Sequence, residues 1–305
     1  MYILIETAIE LGLISSLVVL ALFLSYFMLN VCDLSTDGCF TLGACTGAVV
    51  AISGHPYLSI PAAFIAGMLS GLITASLQTF MGIDSLLSGI IVNTALFSVN
   101  IAIMGNSSLL NMNKTITVFT LLKDLLADTF LAGKQILIIG LIAVVIVLVL
   151  LNIFLKTRLG IAIRATGNNL SMVKSSSINP TVTTIVGLCI SGGITALSGC
   201  LLAQSQKSVN IDIGSGFLTI SLASLLIGRI LSNSNSITIK SICAVLGTII
   251  FRLIYTLALR LNMPAYMLKF ISSVIVILAI GVPYLKQKYP LFKRRMEARR
   301  NAWTN

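Results

Sequence analysis

The chain has 305 residues, of which 57% are hydrophobic and only 10% charged, with a mean hydropathy of +1.03. A soluble domain carries roughly 25% charged residues, so water is excluded as the main solvent and an integral membrane protein is expected. The net charge of +11 would suggest nucleic acid in a soluble protein, but here the basic residues cluster beside apolar runs, and no nucleic-acid partner is expected.

A spanning helix takes about 20 mostly apolar residues, and lipid forces every backbone polar group to be satisfied inside the protein, so long apolar runs are helices. The expected fold is therefore an all-α, polytopic bundle of about eight to ten spans within one membrane domain. Residues 1–10 carry Glu6 and Glu10 but no Lys or Arg, which argues against a cleaved signal and for a retained first span over 7–29. The runs 38–53, 58–80 and 85–104 follow. The second is short and Gly-rich, and a break is expected at Gly38 or Gly43. The sole histidine, His55, lies in Gly54-His55-Pro56, the pattern of a turn. A connection over 105–134 carries an amphipathic pattern in 116–131, as for a helix lying on the membrane surface. Further spans are expected at 135–155, 181–203, 216–231, 237–259 and 266–284, which makes the best count nine.

Between the fifth and sixth spans lies a loop with Lys156, Arg158, Arg164 and Lys174 and no acidic residue. The tail beyond residue 284 holds Lys286, Lys288, Lys293, Arg294, Arg295, Arg299 and Arg300. The positive-inside rule places both in the cytoplasm, and four intervening spans put them on one side, as the rule requires. The six cysteines form no C-x-x-C pair and are expected as small buried apolar residues. No Walker loop is present, because the nearest string, Asn168 to Ser175, has Asn168 and Val173 where glycines must stand.

Polar groups inside the membrane are costly and tend to line cavities or pair. Asp33, Ser35, Asp37 and Thr41 flank Gly38 and Gly43, while Asn93 and Asn100 lie two helical turns apart on one face. Asp212-Ile213-Gly214-Ser215-Gly216-Phe217 echoes Asp37-Gly38-Cys39-Phe40, and paired Gly-interrupted segments mark transport sites. The expected pathway residues are thus Asp33, Ser35, Asp37, Gly38, Phe40, Thr41, Asn93, Asn100 and Phe217. Hydrogen bonding between helices is the alternative role for each. Arg252, deep in the eighth span, is expected as a structural charge paired with Asp33 or Asp37.

Thr157-Arg158-Leu159-Gly160 through Ile163-Arg164-Ala165-Thr166-Gly167-Asn168-Asn169, closed by Ser177-Ile178-Asn179, resembles the coupling loop of permeases in the branched-chain amino-acid type of ABC importers. Ser177 stands where that family has Gly. Asp33 to Ala44, Leu86 to Ile90 with Ala95 to Gly105, and Phe251-Arg252-Leu253-Ile254 with Leu268-Lys269 are similar to motifs of the tryptophan/tyrosine permease branch. Phe97 replaces its Tyr, Ala102 its Arg, and Met267 stands where its Asp falls.

The resemblance implies two permease subunits forming the pathway, the second being another copy, two cytoplasmic ATPases docked on the coupling loops, and an external or periplasmic solute-binding protein. It implies a bacterial cytoplasmic-membrane location with the carboxyl terminus inside, and Arg164, Ala165, Thr166, Gly167, Asn168 and Asn169 as transmitters of ATPase movement. No cofactor is expected in this chain, since ATP and Mg would belong to the ATPase. The rivals are an ion-coupled secondary transporter, which needs several buried carboxylates, and a membrane-embedded enzyme, which needs a convergent His/Asp/Glu set.

Overall fold

A computed structural model describes residues 2–125, 133–176, 178–232, 234, 236–260, 270, 273–277 and 281. The ninth expected span and the basic tail fall outside the described residues, apart from 270, 273–277 and 281. The remaining apolar runs are helices, as lipid demands. In chain order they are α1 (Tyr2–Leu22), continued by a π-helical segment Phe23–Met28, α2 (Thr36–Ile52), α3 (Pro56–Thr79), α4 (Ser85–Ile103), α5 (Val118–Leu125), α6 (Gln135–Lys156), α7 (Arg158–Asn168), α8 (Leu170–Ser175), α9 (Pro180–Gln206), α10 (Phe217–Leu231) and α11 (Ile237–Arg260).

Six of these are long and apolar enough to cross a membrane, whereas α2 and α10, at 17 and 15 residues, are shorter. At 1.5 Å per residue the short pair reach only about 22 to 26 Å, less than the roughly 30 Å hydrocarbon core. The missing length is irregular backbone, residues 29–35 ahead of α2 and 211–216 ahead of α10. α2 itself is unbroken from Thr36 to Ile52, which corrects the expected break at Gly38 or Gly43. Those glycines serve packing. A Cβ on Gly43 would fall on the backbone carbonyl of Ala196 in α9, and one on Gly38 would meet Asn93 and Leu96 of α4.

α9 is the centre of the bundle, packed along α2, α3 and α1. It is rich in Gly, Ala and Ser because helices in lipid gain by backbone approach rather than by excluding water. Gly192 of α9 and Gly67 of α3 meet backbone to backbone, and a Cβ on either would strike the carbonyl of the other. Ser191 Oγ donates to the Ala21 carbonyl at 3.0 Å and Ser198 Oγ to the Ile14 carbonyl at 2.7 Å, which tie α9 antiparallel to α1. The cysteines are free, with Cys39, Cys45, Cys189 and Cys200 buried and Cys32 and Cys243 half-buried.

Two short strands not anticipated from the sequence, β1 (Leu109–Asn111) and β2 (Ser208–Asn210), pair antiparallel with Leu110 opposite Val209. They follow the ends of α4 and α9, so those ends lie together at one face of the bundle. The 116–131 pattern forms α5 over Val118–Leu125, while 126–132 lie outside the described residues. His55 is the exposed residue ahead of α3, as its Gly-His-Pro context predicts.

Candidate functional site

α10 begins partway along the bundle, where Phe217 stacks on Phe40 of α2 with ring centroids 4.2 Å apart. A helix start leaves N–H groups without partners, and here a side chain from the other short helix takes them. Asp37 accepts from Gly216 N at 2.9 Å and Leu218 N at 2.7 Å. Its carboxylate therefore sits at the positive end of the α10 dipole, a favourable place for an anion. Gly216 has φ +83°, a left-handed turn that glycine adopts without cost and that swings the chain into α10.

Beside this junction lies a cavity of about 350 Å³ lined by Asp37, Gly38 and Thr41 of α2, Asn93, Thr94, Phe97 and Asn100 of α4, and Ile211, Asp212 and Ser215 of the loop before α10. Five of the nine pathway residues expected from the sequence line it: Asp37, Gly38, Thr41, Asn93 and Asn100. Asn93 and Asn100 share the α4 face turned to α2, as their seven-residue spacing predicts. Asn100 is 1% exposed; its amide donates to the Gly38 carbonyl at 3.2 Å, while its Oδ1 is buried with no hydrogen-bond partner among the described residues. Such an orphaned acceptor on a cavity wall is a place for a donor from a bound molecule.

The other four are not on the cavity wall. Phe40 and Phe217 form the stacked pair at the α10 junction. Asp33 and Ser35 bond to each other, with Asp33 accepting from Ser35 N at 2.9 Å and Ser35 Oγ at 2.6 Å, and Thr74 Oγ1 of α3 donates to Ser35 Oγ at 3.3 Å. They brace the irregular segment 29–35. Thr94, Phe97, Ile211, Asp212 and Ser215 also line the cavity without having been expected there, although Asp212 and Ser215 fall in the segment that echoes Asp37 to Phe40.

Arg252 is 9% exposed and finds partners other than the expected Asp33 or Asp37. Its Nε and Nη2 donate to Ser15 Oγ at 3.1 and 2.7 Å, and the guanidinium lies over the rings of Phe217 and Tyr255 at 5.6 and 5.9 Å. The reason is direction. Arg252 faces α1 and the start of α10, while Asp33 is bound into the α2–α3 side and Asp37 turns to the α10 amides. Aromatic faces supply part of the stabilisation a carboxylate would have given.

The basic loop folds as a helix, a one-residue break at Asn169 and a second short helix. Thr157 caps α7 by accepting from Gly160 N at 3.3 Å, and Asn169 caps α8 by accepting from Met172 N at 3.1 Å. Two contacts tie it to the bundle: Thr166 and Thr183 hydroxyls 2.9 Å apart, and Gly167 pressed so closely on the Met28 carbonyl that no Cβ fits. Arg164 and Ala165 are half-buried, while Asn168 and Asn169 are exposed. Leu159, Ile161, Leu170 and Met172 are also exposed, at 48 to 59%.

A family model described as "Branched-chain amino acid transport system / permease component" matches residues 4–280. A tyrosine transport system permease protein of Clostridioides difficile is 32% identical over 269 residues, 87% of this chain and 86% of that protein. The nucleoside ABC transporter permease protein NupC of Lactococcus lactis is 25% identical, over 66% of this chain and 67% of its own. The solved structure of PsaBC from Streptococcus pneumoniae in complex with Fab aligns with TM-score 0.53 at 17% identity, over 93% of this chain and 94% of that one, a likeness of fold. With a match across nearly its whole length, the chain belongs to the branched-chain amino acid transport system permease family and is a multi-pass permease component of an ABC-type transporter.

Proposed function

We propose that this chain forms the pathway of an importer for amino acids, aromatic ones such as tyrosine or tryptophan, in the bacterial cytoplasmic membrane with its carboxyl terminus inside. The observation that carries this reading is the cavity at the α2–α10 junction, whose lining includes an orphaned Asn100 acceptor, the Asp212 carboxylate and the exposed ring of Phe97. An amino acid offers a donor ammonium for the first two and a side chain for the third. The relative from Clostridioides difficile, named for tyrosine transport, supports the same class of solute.

Movement comes from outside the chain. The loop α7–α8 presents exposed apolar side chains between basic ones, a surface suited to a docked cytoplasmic ATPase that holds ATP and Mg. Its seat on Met28 and Thr183 passes displacement directly to α1 and α9, the helices that frame the core. A second copy of the chain closes the pathway from lipid, and an external solute-binding protein supplies direction.

The test is reconstitution in vesicles with an ATPase, the solute-binding protein and labelled tyrosine. Uptake requires ATP, and Asn100→Leu, which removes the buried amide without changing much volume, abolishes uptake while the protein still assembles. Uptake that is unchanged in Asn100→Leu, or that proceeds without ATP, sinks the proposal.

A further inference from the structure

A second cavity, about 280 Å³, opens between the π-helical end of α1, the last turn of α10 and the first turns of α11. It is at the end of the bundle that carries the basic loop, because Gly167 of that loop rests on Met28, one residue from Phe27 on its wall. Its chemistry is one-sided. Arg229 and Lys240 approach the single ring of Phe27, at 5.4 and 5.5 Å from its centroid. Among the described residues none of the lining side chains is acidic.

Two cations gathered on one ring repel each other, and the ring quadrupole offsets only part of that. Ser232 and Ser234 complete the polar wall, and Ser232 Oγ is buried without a hydrogen-bond partner among the described residues. Phe23, Leu225 and Ala244 make the other wall apolar. Like charges, an unused hydroxyl and a greasy flank at a bundle end together ask for an anion with an apolar tail.

We propose that this cavity binds the phosphate headgroup of an anionic phospholipid, with Arg229 and Lys240 on the phosphate oxygens, Ser232 donating to the same group, and the glycerol and first acyl carbons against Phe23 and Leu225. Basic pockets between helices at the cytoplasmic surface are suited to such headgroups. The π-helical segment carries both aromatic residues of the pocket lining. It stacks Phe23 on Phe27 at 5.5 Å with the rings 12° apart, which fixes the Phe27 face toward the two cations.

The test is lipid retention by the full chain in detergent, read by native mass spectrometry and by melting temperature after adding phosphatidylglycerol, phosphatidylcholine or inorganic phosphate. Wild type retains phosphatidylglycerol over phosphatidylcholine and gains melting temperature from it. Arg229→Gln and Lys240→Gln each weaken retention about five-fold, through the loss of one of the two cations held on the phosphate. Lys240→Arg restores it, which shows that charge and not folding was lost, and Lys156→Gln at the same end of the bundle has no effect. Equal retention across all variants, or no preference over phosphatidylcholine, overturns the site. Stabilisation by inorganic phosphate alone, with nothing added by phosphatidylglycerol, overturns its assignment to a lipid. Unaltered lipid retention in Arg229→Gln coupled with weaker copurification of an ATPase would assign the cations to an acidic partner protein and overturn it as well.

Discussion

Asp37→Asn probes the joint between the two short helices. In the wild type the carboxylate accepts two backbone N–H groups, at 2.9 and 2.7 Å, at the start of α10. Hydrogen bonds to a charged group contribute about 1.5 to 3 kcal/mol each. Asparagine keeps one acceptor oxygen but turns an NH2 donor toward the other amide, so one bond is lost, the survivor is weakened to a neutral one, and an N–H is left without a partner. The dipole of α10 also loses its anion, worth a few tenths to about 1 kcal/mol. Together these give a loss of about 2 to 4 kcal/mol. At roughly 2 °C per kcal/mol for a chain of this size, the melting temperature falls by about 4 to 8 °C. The assay is thermal unfolding in detergent followed by size-exclusion chromatography. Asp212→Asn, on the same cavity but outside this cap, serves as the control and stays within about 1 °C of wild type, as surface changes do. Equal melting of Asp37→Asn and wild type would refute the capping argument.

Gly43→Val drives a branched side chain into the Ala196 carbonyl, so folded yield collapses, whereas Gly54→Ala, with open space but φ +89°, costs only about 1 kcal/mol in a melt. Arg252→Ala empties the space between Ser15, Phe217 and Tyr255 and lowers the amount of folded protein on a chromatogram; intact expression with uptake alone abolished would contradict that structural role. Gly167→Leu lifts α7 off Met28, and in reconstituted vesicles it leaves the ATPase bound while cutting ATP-dependent uptake at least ten-fold. Recovery of the ATPase itself falls with Leu170→Asp and Met172→Asp, which charge the exposed apolar side chains of α8.

Composition and run length were enough to determine that the chain lives in lipid and is helical, since only an internally satisfied backbone survives there. Local chemistry was equally legible in the basic loop: Thr157, Asn169 and Asn179 cap helices through contacts no more than three residues away. The face shared by Asn93 and Asn100 followed from helical periodicity alone. Other features depend on contacts between residues far apart in the chain. Asp37 meets the α10 amides across about 180 positions, Arg252 meets Ser15 across 237, and β1 meets β2 across the span of five helices. No local pattern encodes which face of a uniformly apolar helix turns inward, because lipid and protein interior are nearly alike to Leu and Ile. Tertiary packing alone decided that Gly43 is a contact rather than a break, that Arg252 rests on a hydroxyl and two rings, and that two cations share the ring of Phe27.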